Sequence, residues 1–234
     1  FTSGSAPLLP QTFEAFEAAT DHRIVERYGM TETGMNTSNP LLGPQKPGTV
    51  GPALPGVMTR IVDPQGEPVP QDTAGELQIR GSNVFKGYWR MPQKTREEFT
   101  NDGYFKTGDL AQIDAEGYIA IVGRSKDMII SGGLNVYPKE IETILDKLPG
   151  VLESAVIGLL DDDFGEAVTA IIVATDDSEL DEATVIRYMK QHLANFKIAK
   201  TVHFVPALPR NTMGKVQKNA LREQFGLKTG ASLS

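Results

Sequence analysis

The feature that most limits how this chain can fold is a stretch from about residue 36 to 123, where short strand-like runs alternate with turns rich in glycine and proline. Residues 76–80 (ELQIR) and 118–122 (YIAIV) are such runs, and residues 63–66 (DPQG) have a turn sequence. Alternating polarity is typical of strands, and glycine and proline mark the connections between them. The stretch therefore predicts a small β-rich subdomain that forms a distorted barrel.

After Gly123 the pattern changes to a mixture of helices and strands. Apolar residues recur at helical spacing in 141–148 and again in 185–193, while residues 151–157 (VLESAVI) and 167–174 (AVTAIIVA) resemble strands. Residues 10–19 begin with a proline and predict a further short helix. We therefore expect an α/β and α+β chain with one domain at 1–125 and a smaller α+β domain at 126–234, whose last residues, 228–234, fray.

Composition excludes several classes of protein. The 23 Lys and Arg against 30 Asp and Glu give a net charge of −7 over 234 residues, which argues against nucleic acid or an anionic membrane as the main partner. With no cysteine there is no disulfide or thiolate site, which fits a reducing compartment, and we expect a cytoplasmic protein. No apolar run approaches the roughly 20 residues of a membrane span, and the first five residues lack the features of a signal peptide.

Common catalytic and metal motifs are not evident. His22, His192 and His203 are widely separated in the sequence, so no metal cluster is predicted. Gly214 and Lys215 are followed by Val216 rather than Ser or Thr, and the upstream glycine of a phosphate-binding loop is missing. Neither a histidine metal site nor a nucleotide-triphosphatase loop is predicted.

Four segments nevertheless carry unusual combinations of glycine with hydroxyl, acidic and basic residues. They are residues 28–34 (YGMTETG), 107–110 (TGDL), 123–138 (GRSKDMIISGGLNVYP) and 209–218 (PRNTMGKVQK). Each has a structural alternative when it is taken alone: a loop with a hydroxyl helix cap, a turn at Asp109, a hairpin turn at Gly132 and Gly133, and a solvated loop lysine at Lys215. All four together, in this order, are difficult to explain as coincidence.

In this order the segments resemble the acyl-adenylate-forming superfamily of acyl-CoA synthetases, peptide-synthetase adenylation domains and luciferases. The resemblance covers nearly the whole chain and begins at residues 4–8 (GSAPL), which are similar to the adenine-side loop of the family. Within the superfamily, residues 26–40 (ERYGMTETGMNTSNP), 83–92 (NVFKGYWRMP) and 209–219 resemble malonyl-CoA synthetases most.

The resemblance implies a reaction in two steps, in which a carboxylate first reacts with ATP and Mg²⁺ to give acyl-AMP and pyrophosphate, and the acyl group then moves to coenzyme A. Malonate is the implied acid. Asp109 suits the two ribose hydroxyls, Arg124 offers a permanent positive charge to the same sugar or its phosphate, and Tyr28 can stack on adenine. The implied nucleotide contacts are Ser5, Ala6, Tyr28, Gly29, Met30, Thr31, Asp109 and Arg124.

Three residues are implied in catalysis of the first step. Lys215 would stabilise the charge that develops when the carboxylate attacks the α-phosphate, and Thr31 would donate to that phosphate. Glu32 would hold the Mg²⁺. A lysine acetyltransferase that acts on Lys215 would remove this cation and silence the first step.

The second step is implied to use a different set of residues. Lys126 corresponds to the hinge of the family, and Ser131, Gly132 and Gly133 would approach the pantetheine arm of coenzyme A. Lys197, with Phe196, is a further candidate contact to the coenzyme. Met30 and Met35 would line the pocket for the acyl group.

The chain departs from the family at one point, because the Ser/Thr/Gly-rich phosphate loop and its lysine do not occur here. We therefore expect the chain to be the C-terminal part of a synthetase, with the missing N-terminal part as its partner. Three other readings stay open: a synthetase for another small or methyl-substituted acid, an adenylation domain that loads a carrier protein, and a noncatalytic module.

Overall fold

The computed structural model describes residues 1–6, 8–212 and 214–226, with only the backbone of Pro10. It divides into two compact units, Phe1–Ser125 and Lys126–Ser234. The division lies between the same two residues as the domain boundary expected from the sequence. Pro7 and Met213, which belong to two of the segments above, and residues 228–234, where we expect fraying, lie outside the described residues.

The first unit contains two sheets and two helices. Its elements are β1 (Thr2–Ser3), α1 (Pro10–Thr20), β2 (Val25–Met30), β3 (Gly34–Ser38), β4 (Val57–Val62), β5 (Gly75–Gly81), α2 (Pro92–Glu98), β6 (Phe105–Ile113) and β7 (Ile119–Arg124). One sheet has the order β1-β2-β3 and the other the order β4-β5-β6-β7. The predicted helix at 10–19 is α1, and the two strand-like runs lie in β5 and β7.

Residues 36–123 form the β-rich subdomain that the sequence predicts. The expected barrel differs in one respect, because the described strands β4 to β7 form an open antiparallel sheet and no closed barrel. Loop segments cover the two edges of this sheet. Val50 N–H donates to Ile119 O at 2.7 Å along β7, and Val69 N–H donates to Ile61 O at 3.1 Å along β4. Because connecting loops satisfy edge groups that a barrel would pair with each other, the sheet has no need to close.

In its described residues the second unit has a five-stranded sheet and three α-helices. Its elements are β8 (Ile129–Ser131), β9 (Leu134–Val136), α3 (Pro138–Leu145), β10 (Val151–Asp161), β11 (Gly165–Ala174), α4 (Glu182–His192), β12 (Thr201–Phe204) and α5 (Lys218–Gly226). The sheet order is β10-β11-β8-β9, and β12 also pairs with β11, in parallel. No helix in the described part of the chain is long and apolar enough to span a membrane.

Strand β11 lies at the centre of this unit and is buried on both faces. Val168, Ala170 and Ile172 belong to one apolar cluster, together with residues of α3 and α4. Ile171 and Val173 belong to a second cluster, together with residues of α5. Successive side chains of a strand point to opposite faces, so a strand covered on both sides is apolar throughout. This explains why residues 167–174 form a continuous apolar run.

The central position of β11 leads to a test of stability. Ile172→Ala removes a fully buried side chain, so we expect the free energy of unfolding to fall by about 2–5 kcal/mol. Urea denaturation followed by circular dichroism measures the loss. Leu160→Ala is the matched control, because Leu160 in β10 is 87% exposed; an equal loss in both variants would contradict this account of the core.

Candidate functional site

A buried carboxylate, Asp109, lies at the centre of a polar cluster in the first unit. The hydroxyl of Tyr28 donates to Asp109 Oδ2 at 2.5 Å, and Arg124 Nε lies 2.6 Å from Asp109 Oδ1. The register of β6 and β7 places Asp109 opposite Arg124, while Tyr28 comes from β2 in the other sheet. Three of the predicted nucleotide contacts, far apart in the sequence, thus meet at one carboxylate.

The side chains of this cluster differ in how far they are buried, and burial changes the pKa of the tyrosine. Asp109 is 3% exposed, whereas the side chain of Arg124 is 41% exposed, so the arginine bridges the buried carboxylate and the surface. Burial raises the pKa of the Tyr28 phenol well above its ordinary value, and the nearby Asp109 carboxylate raises it further. Tyr28 therefore stays a neutral hydrogen-bond donor to Asp109, and the guanidinium of Arg124 places a permanent cation beside the same carboxylate.

Asp109 lies in a bulged strand and not in the turn that was the structural alternative for residues 107–109. Gly108 has a φ of 67°, and the register between β5 and β6 shifts at this point. The hydroxyl of Thr107 donates to Leu77 O at 2.7 Å and accepts from the N–H of Asp109 at 3.0 Å. The bulge and the threonine together fix where the carboxylate lies.

Residues 28–34 form a tight hairpin between β2 and β3, and they cap no helix. Gly29 faces the start of β3 so closely that a side chain there would collide with Gly34 O. Within the hairpin, Met30 pairs with Gly34 and Gly29 pairs with Met35. Met30 and Met35 therefore lie on neighbouring strands, with Met30 partly buried and Met35 exposed. Gly29 thus has a packing role in addition to the one implied by resemblance.

Glu32 lies at the tip of this hairpin and is held by residues from the segment 83–92. The hydroxyl of Tyr88 donates to Glu32 Oε1 at 3.1 Å, and Phe85 N–H donates to Glu32 O at 2.8 Å. Burial, followed by the bond to Glu32, raises the pKa of Tyr88 to about 12. The carboxylate of Glu32 consequently has a fixed position, while Thr31 beside it is exposed.

Two asparagines that the sequence analysis did not single out support the same hairpin. Asn36 Nδ2 donates to Thr33 Oγ1 at 2.7 Å, and Asn83 Nδ2 donates to Thr33 O at 2.8 Å and to Asn36 Oδ1 at 3.0 Å. Asn36 and Thr33 are fully buried, so each bond replaces one that water would otherwise supply. Both asparagines lie in segments quoted for the family resemblance, but nothing in the sequence shows that they meet.

Among the described residues no group of three or more His, Cys, Asp or Glu side chains is arranged to hold a metal ion. Glu32 is a single carboxylate. Mg²⁺ is commonly bound by one or two carboxylates together with water and the phosphates of a nucleotide. The donor set therefore fits a Mg²⁺ that binds with a nucleotide, and Glu32 is the residue that would hold it.

Ser5 and Ala6 precede α1 and are exposed, and no hydrogen bond among the described residues connects them to the Asp109 cluster. Their predicted contact with adenine stays a prediction.

In the second unit, Gly132 and Gly133 form the two-residue turn between β8 and β9, with φ values of 57° and 77°. Positive φ at both positions is the backbone of a type I′ hairpin turn, which glycine adopts without strain. The structural alternative for this pair, a hairpin turn, is therefore what the structure contains. A hairpin tip is also a narrow element that can approach a ligand.

A cavity of about 310 Å³ lies beside this hairpin. Its lining consists of Ser131, Gly132, Leu134, Phe164, Asn195, Phe196, Ile198 and Lys200. Lys197 is not among the lining residues. Its Nζ forms an ion pair with Glu140 Oε1 at 2.5 Å, and its side chain is 19% exposed. Lys200, which the sequence analysis missed, lies with Nζ 3.7 Å from the centre of the Phe164 ring. Lys200 is therefore better placed than Lys197 for a ligand in the cavity.

Lys215 lies in a compact turn. Its N–H donates to Asn211 Oδ1 and its carbonyl accepts from Asn211 N–H, both at 2.9 Å. Arg210 donates to Gly214 O at 2.7 Å and forms an ion pair with Glu153. Lys215 is exposed, and none of the described carboxylates forms an ion pair with it. Its charge is available to a ligand, as the predicted role requires.

Lys126 is the first residue of the second unit and is exposed. Its neighbour Asp127 is held within the unit by Arg222, at 3.0 Å. The hinge predicted at Lys126 stays a prediction.

Comparison with known proteins gives two matching families. Residues 1–89 match the AMP-binding enzyme family, and residues 140–215 match the AMP-binding enzyme C-terminal domain. The chain is 41% identical over 234 residues to the malonate–CoA ligase of Arabidopsis thaliana, with 95% of this chain and 38% of that protein covered. It is 42% identical over 228 residues to the long-chain-fatty-acid–CoA ligase FadD13 of Mycobacterium tuberculosis, with 96% and 44% covered.

Among solved structures, ATP-bound MatB from Rhodopseudomonas palustris superposes with a TM-score of 0.94 at 57% identity, and the match covers 97% of this chain and 45% of that one. The chain thus spans less than half of the length of these relatives.

The hydrogen bond between Tyr28 and Asp109 can be tested without any ligand. Tyr28→Phe removes the phenol that donates to a buried carboxylate oxygen, so we expect the free energy of unfolding to fall by roughly 1–3 kcal/mol. Urea denaturation measures the change. Tyr137→Phe is the control, since no described residue forms a hydrogen bond with the Tyr137 hydroxyl; if both variants unfold at the wild-type midpoint, the bond contributes nothing to stability.

Proposed function

We propose that this chain, which belongs to the family of AMP-binding enzymes, functions in an ATP-dependent acid–CoA ligase that forms an acyl-adenylate and then a CoA thioester. The observation that carries the proposal is the cluster of Tyr28, Asp109 and Arg124. It places a buried anion, a permanent cation and an aromatic ring together, which are the groups that a nucleoside monophosphate requires.

Asp109 binds the ribose of the nucleotide in this proposal. The two oxygens of a carboxylate suit the two adjacent hydroxyls of a ribose. Arg124 donates to the same sugar or to its phosphate from the partly exposed side of the cluster. The ring of Tyr28 stacks on adenine, while its hydroxyl keeps Asp109 in position.

The first reaction step uses Lys215, Thr31 and Glu32. The acid oxygen attacks the α-phosphorus of ATP, a P–O bond forms, and the bond to pyrophosphate breaks. Two anions approach each other in this step, so a cation that is unpaired among the described residues, such as Lys215, stabilises the transition state more than the ground state. Thr31 donates to the α-phosphate, and Glu32, held by Tyr88, binds the Mg²⁺ that neutralises phosphate charge.

The second step uses the hairpin of Ser131, Gly132 and Gly133. The thiol of coenzyme A gives its proton to water and attacks the acyl carbonyl, a C–S bond forms, and AMP leaves with the electron pair of the C–O bond that breaks. The cavity beside the hairpin accepts part of the coenzyme, with Phe196 and Lys200 in its lining. Lys126, which is exposed at the start of the second unit, provides the hinge between the two steps.

Malonate is the acid that we propose. The proposal is supported by the 41% identity with the malonate–CoA ligase of Arabidopsis thaliana. The long-chain-fatty-acid–CoA ligase matches at a similar identity, so the overall likeness does not select the acid. Met30 and Met35, which lie on the two strands of one hairpin, are the residues that we propose for the acyl pocket.

The substrate is tested with the full-length protein that carries this chain. We expect malonate-dependent release of pyrophosphate from Mg-ATP, and malonyl-CoA once coenzyme A is added. Methylmalonate, acetate and succinate are the comparison acids, and pyrophosphate is measured by a coupled assay. Release with another acid alone would replace malonate but keep the reaction, whereas no release with any acid would contradict the proposed function.

Lys215→Ala separates the two steps. We expect adenylation to fall by about 10²–10³-fold, because the cation that stabilises the transition state is gone, while transfer from supplied malonyl-AMP to coenzyme A stays unchanged. Pyrophosphate release and thioester formation are measured separately. Lys190→Ala, which changes an exposed lysine of α4, is the control. Equal loss in both steps would contradict the role given to Lys215.

A further inference from the structure

The hairpin of β8 and β9 is attached to the rest of its sheet by few backbone contacts. Its register with β11 consists of one residue pair, Ser131 with Gly165. Gly132 N–H donates to Phe164 O at 2.9 Å at the turn. A two-residue turn with so short a ladder needs other contacts to keep a fixed position.

A side chain of β11 supplies such a contact. Glu166 Oε2 accepts a hydrogen bond from the N–H of Ile130 at 2.7 Å. The bond joins a carboxylate to the backbone of β8 immediately before Ser131. Hydrogen bonds to ionised acceptors are shorter and stronger than neutral ones, so this single side chain substitutes for a missing part of the ladder.

Glu166 can occupy this position because of Gly158 in β10. A Cβ at residue 158 would lie 2.6 Å from Glu166 Oε1 and 3.1 Å from Ile129 Cγ2, which is closer than real Cβ atoms approach such neighbours without displacement. The glycine has no positive φ that would explain it otherwise. The absence of a side chain at Gly158 therefore leaves room for the Glu166 carboxylate, which binds the backbone of β8.

The turn that precedes Glu166 contacts the same hairpin from the cavity side. Phe164 lines the cavity, its carbonyl accepts from Gly132, and its ring lies under Lys200 Nζ. A side chain at residue 132 would meet Phe164 Cδ1 at 3.5 Å, so the turn and the ring are in contact. Residues 164–166 thus both form a wall of the cavity and fix the hairpin beside it.

We propose that Glu166 is a positioning residue for the second reaction step, in which it fixes the hairpin of Ser131, Gly132 and Gly133 where the thiol of coenzyme A reacts. The inference rests on the proposed function, because the hairpin was assigned there to the thioester step. Glu166 touches neither substrate in this account and acts through the backbone of Ile130.

The test compares both half-reactions in the full-length protein with Glu166→Ala and Glu166→Gln. We expect Glu166→Ala to lower the rate of thioester formation from supplied malonyl-AMP by on the order of 10- to 100-fold, since a small displacement of a reacting element has effects of this size. Adenylation should stay within about twofold of wild type. Glu166→Gln keeps an acceptor for Ile130 N–H and should recover most of the lost rate.

Two further measurements separate positioning from a general loss of structure. Gly158→Ala leaves the carboxylate in the sequence but occupies its space, so it should reproduce the effect of Glu166→Ala on the thioester step. Amide hydrogen exchange at Ile130 should become faster in Glu166→Ala and stay slow in Glu166→Gln. Asp162→Ala, which removes an exposed carboxylate from the same turn, is the matched control and should leave both steps unchanged.

The outcomes are distinct. If wild type completes both steps and Glu166→Ala leaves them unchanged or slows both equally, this inference is wrong and the proposed function stands. If wild type makes no acyl-adenylate from any of the acids, the proposed function is wrong, and this inference, which depends on it, is wrong as well.

Discussion

The arrangement of the first unit depends on one buried anion. Asp109 is 3% exposed and would be costly to bury without partners, but Tyr28 donates to one of its oxygens and Arg124 lies beside the other. Tyr28 belongs to one sheet, and Asp109 and Arg124 belong to the other, so the contacts that neutralise the carboxylate also join the two sheets. A group that suits a ribose in the proposed reaction is thus also a structural link between the two sheets.

The second unit depends on a different constraint, the burial of β11 on both faces. Apolar side chains at alternate positions belong to two separate clusters, so the strand cannot shift its register by one residue without exchanging the two sets. Because its register is fixed, such a strand can hold short, weakly paired elements at its end in a defined position. The hairpin of β8 and β9 is one of these elements, and its attachment at Gly165 and Glu166 places it at the end of this central strand.

The sequence predicts local features of this protein better than contacts between distant residues. Helix α1 and strands β10 and β11 were predicted because proline position and apolar periodicity are local signals. The β-rich subdomain was predicted, but its distorted barrel is an open sheet in the structure, because alternation shows that a residue is in a strand but not what covers the edge of that strand. The sequence analysis named Lys197 as a contact to the coenzyme and missed Lys200, three residues later, which lines the cavity. Only packing reveals that Lys197 is paired with Glu140. The bonds of Asn36 and Asn83 to Thr33 join residues up to 50 positions apart and have no local signature.

Three carboxylates of this chain show how surroundings decide what one chemical group can do. Asp109 is buried beside a guanidinium and a phenol, and its oxygens accept hydrogen bonds at a fixed position. Glu32 is held by one phenol at the tip of a hairpin, which leaves an anion partly exposed for a hard cation. Glu166 accepts from a backbone N–H and has its space kept open by Gly158. An Asp or Glu in a sequence therefore predicts an anion, but its function follows from which donors reach it and how much water remains.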